Sequence, residues 1–146
     1  MEENRDVEIW VDGACEPNPG GTAYGAFVVK RAGEEIASWV AQVGSGPAMS
    51  SNVAEYKAVI SALWWLLARP DQSGRVTIYS DSQLVVQQMR GNWRLRGGLY
   101  LGEASTARRL AAQFPASALT FQWIPREENF QADGLSRQAL LQMPLG

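Results

Sequence analysis

The sequence contains no histidine and a single cysteine, Cys15, among its 146 residues. A zinc site of the usual kind is therefore excluded, and so is any catalytic triad or dyad that depends on an imidazole. A lone cysteine cannot form an internal disulfide, which suits a reducing cytoplasm. Any chemistry must rely on carboxylates, hydroxyls, basic side chains or a hard metal ion.

Long apolar runs are also missing from the chain. The longest, residues 62–68, is far shorter than the roughly 20 residues that a membrane-spanning helix needs. The acidic start, MEENRDVEIW, lacks the basic and apolar regions of a signal peptide. With 46% apolar and 19% charged residues, the composition is typical of a globular protein with a real core. We therefore expect one cytoplasmic domain over residues 1–146, without membrane association.

The chain has no overall excess of positive charge, since its net charge is −2. The charges are unevenly distributed, however, because residues 82–109 contain five arginines and only one acidic residue, Glu103. A local basic stretch of this kind can hold a polyanion even on an acidic protein.

The hydrophobic periodicity predicts an α/β fold with strands and helices in the order β-β-β-α-β-α-α-β-α. The predicted strands are residues 7–12, 24–30, 36–43, 75–80 and 119–124, and the predicted helices are residues 50–69, 82–89, 99–113 and 127–141. The first three strands are expected to form an antiparallel meander. The fourth is entered from a helix, so this crossover makes it parallel to another strand. The sequence therefore predicts a mixed five-stranded sheet flanked by helices.

Acidic residues interrupt this pattern at four places. Asp12 and Asp81 each end a strand-like run, Glu55 lies early in the first helix, and Asp133 lies early in the last one. Taken singly, each has an ordinary explanation as a turn residue, a helix cap, a first-turn acid or a surface acid. If the first and fourth strands are parallel neighbours, however, Asp12 and Asp81 meet at their carboxyl ends, where open α/β sheets bind ligands.

Several carboxylates gathered at one sheet edge repel one another unless a cation compensates their charge. Mg²⁺ suits such a site because it takes oxygen ligands, keeps several waters and is often completed by substrate phosphates. Two such ions can activate a water and stabilise the leaving oxygen of a phosphodiester without any histidine.

Four segments, in order and at matching spacing, resemble those of type 1 ribonucleases H. They are VDGACEPNPGG with Asp12, SSNVAEYKAVISAL with Glu55, IYSDSQLVVQQMRGNW with Asp81 and WIPREENFQADGLSRQAL with Asp133. The resemblance implies a ribonuclease H-like fold and an endonuclease that cuts the RNA strand of RNA–DNA hybrids, leaving 5′-phosphate and 3′-hydroxyl ends. It also implies two Mg²⁺ ions on these four acids, Mn²⁺ as a possible substitute, and a monomer without an obligate protein partner.

The same resemblance implies a set of substrate-binding residues. Four of them match positions that approach the 2′-hydroxyls of RNA, the group that separates RNA from DNA, and these are Cys15, Asn18, Ser51 and Asn52. Asn18 can equally form a turn and Ser51 can cap a helix, and both kinds of role can hold at once. In the pocket for a DNA phosphate, Ala48 stands where some members have an arginine, which leaves only Ser50.

Two further departures set this chain apart from many members. Where they carry a histidine before the last acidic helix, this chain has IPREEN, with Arg126, Glu127 or Glu128 in that region. The basic protrusion of some members is also missing, as in bacterial and archaeal-like forms without it, and only Trp93, Arg94 and Arg96 remain there. Trp93 could stack on a deoxyribose or base, or it could pack into the core.

Three other functions share parts of this pattern. The chain could be the ribonuclease H domain of a reverse transcriptase or mobile element, or a non-catalytic module that binds hybrids. It could also be a transposase or exonuclease with a similar acidic site. The four acids argue against a pure binder, which gains nothing from anions beside phosphates, and the residues Asn18 and Asn52 would be unneeded in an enzyme that cuts DNA.

Overall fold

The fold is organised around a mixed five-stranded sheet. A computed structural model describes residues 5–69 and 74–141. The strands are β1 (Val7–Glu16), β2 (Thr22–Arg31), β3 (Glu34–Ser45), β4 (Val76–Ser80) and β5 (Leu119–Trp123). Their order across the sheet is β3-β2-β1-β4-β5, with β1–β2 and β2–β3 antiparallel and β1–β4 and β4–β5 parallel. The predicted fold class and the antiparallel meander are confirmed.

The described residues also form four helices, and serine side chains start two of them. The helices are α1 (Ser51–Leu67), α2 (Gln83–Met89), α3 (Leu101–Ala111) and α4 (Phe130–Leu141), with a 3₁₀ turn at Arg126–Glu128 before α4. Ser50 caps α1 by accepting a hydrogen bond from the Val53 amide at 3.2 Å, and Ser82 caps α2 in the same way through the Val85 amide at 3.2 Å. Each cap satisfies an amide that has no partner within its helix.

The core lies between the sheet and the helices α1 and α3. Val7, Ile9 and Val11 alternate along β1 and are almost completely buried in the same cluster as Tyr56 and Leu63 of α1. The helix α4 packs separately across β1, β2 and β3. Within residues 5–69 and 74–141, no helix is both long enough and apolar enough to cross a membrane.

Several element boundaries differ from the sequence-based prediction. We predicted that the first strand ends near Gly13, but β1 continues to Glu16 because its residues 12–16 pair with residues 22–26 of β2. Strand pairing here outweighs the turn-like composition that follows Asp12. The last helix begins at Phe130 rather than Glu127, because Pro125 is followed by a separate 3₁₀ turn. Similarly, α3 begins at Leu101 rather than residue 99, and α1 ends at Leu67 rather than residue 69.

Candidate active site

Three of the four predicted acids meet at one edge of the sheet. Trp10 of β1 is paired with Tyr79 of the parallel strand β4, so Asp12 and Asp81 occupy equivalent positions two residues further on. Glu55 reaches the same place from the N-terminal part of α1, and carboxylate oxygens of all three lie within 4.8 Å of one another. Among the described residues, no lysine or arginine forms a salt bridge with any of these three acids.

The Glu55 carboxylate is held by two hydrogen bonds from the sheet. The Gly13 amide donates to its Oε2 at 2.6 Å, and the Ser80 hydroxyl donates to its Oε1 at 2.7 Å. Glycine is needed at position 13, because a Cβ there would lie 2.3 Å from backbone atoms of Ala54 and Glu55. The close approach of β1 to α1 therefore fixes where this carboxylate lies.

The electrostatics of the cluster oppose ionisation of its two buried acids. Burial raises the pKa of Asp12 from its usual 3.8 to about 7; the charges of Asp81 and Asp133 raise it too, against a hydrogen bond from Ser136. Burial likewise raises the pKa of Glu55 well above its usual range, with the charge of Asp12 as the next cause. A bound cation would reverse this bias, because it favours the charged carboxylates.

Asp133 lies beside the cluster rather than within it. Its two carboxylate oxygens both accept hydrogen bonds from the Arg137 Nε, one turn further along α4, at 3.0 Å. The intervening Ser136 is fully buried and donates to the Asp12 Oδ2 at 2.8 Å. Thus α4 orients Asp12 directly, and the charge of Asp133 is paired with an arginine.

Asn129 is a site residue that our sequence reasoning missed. Its buried amide nitrogen donates to the Asp81 Oδ2 at 3.1 Å and to the Val11 carbonyl at 2.8 Å. The Trp123 indole also donates to the Asp81 carbonyl, at 3.1 Å. From the sequence, Asn129 resembles an ordinary residue before a helix, and no local signal indicates its contact with a strand more than a hundred residues away.

The predicted RNA-contacting residues lie around the loop between β1 and β2 and the start of α1. The Asn18 side chain is exposed and makes two hydrogen bonds with Ser51. Its Nδ2 donates to the Ser51 hydroxyl at 3.0 Å, and its Oδ1 accepts from the Ser51 backbone amide at 2.9 Å. Asn52 is half-buried beside them. Cys15 is buried, and its thiol donates to the Pro17 carbonyl at 3.3 Å. Asn18 and Ser51 are thus the members of this set that the structure joins most directly.

Three of the predicted substrate-binding residues, Trp93, Arg94 and Arg96, line a separate cavity of about 390 Å³. Ser50, predicted to meet a DNA phosphate, does not line it and is the N-cap of α1. Trp93 is 47% exposed, so the alternative that it packs into the core does not hold. Arg94 and Arg96 are also exposed and line the same cavity, together with Leu84, Gln88, Asn92 and Tyr100. An indole and two arginines at the surface are suited to contact a nucleic-acid strand.

The comparisons with known proteins agree with this geometry. The sequence model of the reverse transcriptase-like family matches residues 10–139. A ribonuclease H from Thiobacillus denitrificans is 31% identical over 148 aligned residues, which cover 93% of this chain and 94% of that protein. The structure of LC11-RNase H1 in complex with an RNA/DNA hybrid has a TM-score of 0.79 at 28% identity and covers 92% of this chain and 99% of that one.

A further relative is longer than this chain. The bifunctional protein Rv2228c from Mycobacterium tuberculosis is 34% identical over 134 residues, which cover 92% of this chain but 35% of that protein. The structure of its N-terminal RNase H domain, at 31% identity, has a TM-score of 0.80 and covers 92% of this chain and 93% of that one. The chain thus spans about a third of the length of this relative and nearly all of its N-terminal domain.

Proposed function

Because this chain belongs to the ribonuclease H family, we propose that it is a metal-dependent endonuclease that hydrolyses the RNA strand of RNA–DNA hybrids. The products would carry 5′-phosphate and 3′-hydroxyl ends. The observation that carries this proposal is the cluster of Asp12, Glu55 and Asp81, whose carboxylate oxygens lie within 4.8 Å of one another. These acids have no cationic partner among the described residues, although two of them are buried.

The residues of the cluster fit hard divalent cations. All the available donors are carboxylate oxygens, the ligands that Mg²⁺ takes, and Mn²⁺ is the expected substitute. We propose that Asp12, Glu55 and Asp81 hold the ions and that Asp133 joins them from the side of α4. When bound, two such ions would lower the pKa of an attacking water and stabilise the leaving oxygen of the phosphodiester.

The chain's own residues keep the carboxylates in place for this chemistry. Ser136 orients Asp12, Gly13 and Ser80 orient Glu55, and Asn129 orients Asp81. Each anchor comes from a rigid strand or from α4 and its N-terminal boundary, so the site is built before substrate arrives. Such preorganisation is what places a scissile phosphate and a water in a reactive arrangement.

We further propose how each strand of the hybrid is held. The RNA strand would pass Asn18, Ser51 and Asn52, whose polar groups can pair with 2′-hydroxyls, with Cys15 beneath them. The DNA strand would contact the cavity of Trp93, Arg94 and Arg96, and one of its phosphates would meet Ser50. We expect Arg126, Glu127 or Glu128 to lie where many members have a histidine.

A panel of substrates tests the proposal. Labelled RNA–DNA, RNA–RNA, DNA–DNA and single-stranded RNA are incubated with Mg²⁺, Mn²⁺ or EDTA, with the Asp12→Asn variant as the matched inactive control. We expect cleavage only of the RNA strand of the hybrid, only with a divalent ion and only by the parent. Comparable cleavage of duplex DNA, or undiminished cleavage in EDTA, would refute the proposal.

Four finer expectations accompany this function. We propose that the protein acts as a monomer and as a single domain over residues 1–146, which size-exclusion chromatography with light scattering tests. We propose Mg²⁺ as its working ion. A cytoplasmic location agrees with the single, buried cysteine, and fractionation of cells that express the protein tests it.

A further inference from the structure

The segment GNWRLR, residues 91–96, has a defined shape that begins at the end of α2. Gly91 has a φ of +80°, a conformation that favours glycine and reverses the chain. The amides of Asn92 and Trp93 then donate to the Gln87 carbonyl at 2.9 and 3.2 Å. Leu95 packs against the core, whereas Arg94 and Arg96 on either side of it are exposed. The GNWRLR segment is therefore folded back on α2 with its charged groups outward.

Gln88 lies directly beneath this segment and is 1% exposed. Its Oε1 accepts a hydrogen bond from the Tyr56 hydroxyl at 2.6 Å. Its Nε2 donates to the Arg94 carbonyl at 3.0 Å and to the Tyr100 hydroxyl at 3.2 Å. Both protons of the Gln88 side-chain amide are therefore used. Because Tyr56 of α1 donates to the Oε1, the side-chain amide is oriented with its Nε2 towards the GNWRLR segment.

Arg108 of α3 forms a second connection to the same place. Its Nε and Nη2 donate to the Gln88 carbonyl at 3.1 and 2.6 Å, and its Nη2 also reaches the Trp93 carbonyl at 3.4 Å. Its half-buried guanidinium is therefore engaged with backbone carbonyls and is not offered outward like the arginines of the segment. The neighbouring Arg109 is exposed and donates a hydrogen bond to the Thr106 hydroxyl within α3 at 3.3 Å.

We propose that Gln88 is a positioning residue that, with Arg108, holds the GNWRLR segment in the shape that binds the DNA strand of the hybrid. This inference rests on the proposed function. The segment offers only one indole and two arginines to the substrate, so its affinity depends on these groups being ordered before binding. The buried network supplies that order, because it ties the backbone at Trp93 and Arg94 to α1, α2 and α3.

The test compares Gln88→Met and Arg108→Met with Arg109→Met. Arg108→Met and Arg109→Met each remove one positive charge from the same turn of α3, but only Arg108→Met removes the hydrogen bonds to the carbonyls of Trp93 and Gln88. Steady-state cleavage of a labelled RNA–DNA hybrid in Mg²⁺ gives KM and kcat. Trypsin, which cuts after Arg94 and Arg96, reports the order of the segment independently of activity when the nicks are mapped by mass spectrometry.

We expect Gln88→Met and Arg108→Met to raise KM by about tenfold and to change kcat by less than about twofold. Both should be nicked after Arg94 or Arg96 faster than the parent, and Arg109→Met should match the parent in both measurements. If Gln88→Met does not fold, the pair of arginine variants still decides the question.

Three results would overturn the inference. Unchanged nicking would show that the network does not order the segment, and faster nicking with an unchanged KM would show that its order does not matter for binding. An equal rise of KM in Arg109→Met would show an effect of net charge alone. If the parent cleaves no hybrid, the proposed function fails, whereas faster nicking of the variants would still show that Gln88 and Arg108 order the segment.

Discussion

Replacing Asp12 by asparagine should abolish cleavage and yet stabilise the metal-free protein. Asp12 is 4% exposed, and burial and the neighbouring carboxylates raise its pKa from 3.8 to about 7. Asparagine is nearly the same size, and its carbonyl oxygen can still accept the hydrogen bond from Ser136. A hydrogen-bond donor is favourable at this position, because carboxylate oxygens of Glu55 and Asp81 lie within 4.8 Å of one of the Asp12 oxygens. The substitution therefore removes repulsion and keeps the local packing.

The magnitude follows from the linkage between ionisation and folding. A pKa that rises on folding means that the folded state binds more protons than the unfolded state. The free energy of unfolding is therefore not reduced by Asp12 below about pH 4, and it falls as the pH rises towards 7. A shift from 3.8 to about 7 corresponds to a cost of about 4 kcal/mol for the ionised residue above that pH, at 1.36 kcal/mol for each pKa unit. Relaxation of the site and entry of water reduce this cost, so we expect Asp12→Asn to gain about 2 kcal/mol.

The assay is urea unfolding in EDTA at about pH 8 and about pH 4, compared for parent and variant. The gain should be large at the higher pH and nearly vanish at the lower one. Glu127→Gln is the control, since Glu127 is exposed on the 3₁₀ turn and its loss should change stability by less than about 0.5 kcal/mol. Added Mg²⁺ should stabilise the parent more than the variant. A variant less stable than the parent in EDTA at the higher pH would show that Asp12 is a structural group.

The sequence was sufficient to predict that Asp12 and Asp81 lie close together. The alternation of Val7, Ile9 and Val11 predicts the first strand, and the crossover from the first helix predicts that β4 runs parallel to a neighbouring strand. The structure has β1 and β4 as parallel neighbours, with one aspartate in β1 and one just after β4. The serines at positions 50 and 82 cap their helices as a local pattern allows. Short-range periodicity and capping chemistry carry this information, because both depend on residues a few positions apart.

The anchors of the acids could not be predicted in the same way. The contacts from Ser136 to Asp12 and from Asn129 to Asp81 join residues 124 and 48 positions apart. A serine in a helix and an asparagine before one have ordinary local explanations, so only the packing of α4 on the sheet shows their role. The pair of Asp133 and Arg137 differs, since a spacing of four residues in a helix is a recognisable ion-pair pattern.

Three further variants test the remaining parts of the site. Gly13→Ala should lower kcat by at least tenfold at saturating Mg²⁺, because its Cβ would lie 2.3 Å from the backbone of Glu55 and displace that carboxylate. Gly102→Ala is the control, because a Cβ there meets no atom within 4 Å; a parent-like kcat in Gly13→Ala would contradict the prediction. Triple alanine replacement of the tryptophan and two arginines of the GNWRLR segment should raise KM, leave kcat nearly unchanged and lower the slope of log affinity against log salt by about 2; an unchanged KM and salt slope would show that the hybrid is held elsewhere.

Arg137→Met should tighten metal binding, because Arg137 now neutralises Asp133 through two 3.0 Å contacts and its removal leaves that acid free to attract a cation. Arg137 is exposed and bonds only within α4 among the described residues, so the fold should tolerate the change. The Mg²⁺ concentration that gives half-maximal cleavage should fall severalfold, whereas Arg109→Met, which also removes one positive charge, should leave it unchanged. A higher Mg²⁺ requirement in Arg137→Met would mean that the arginine orients Asp133 for the metal rather than competing with it.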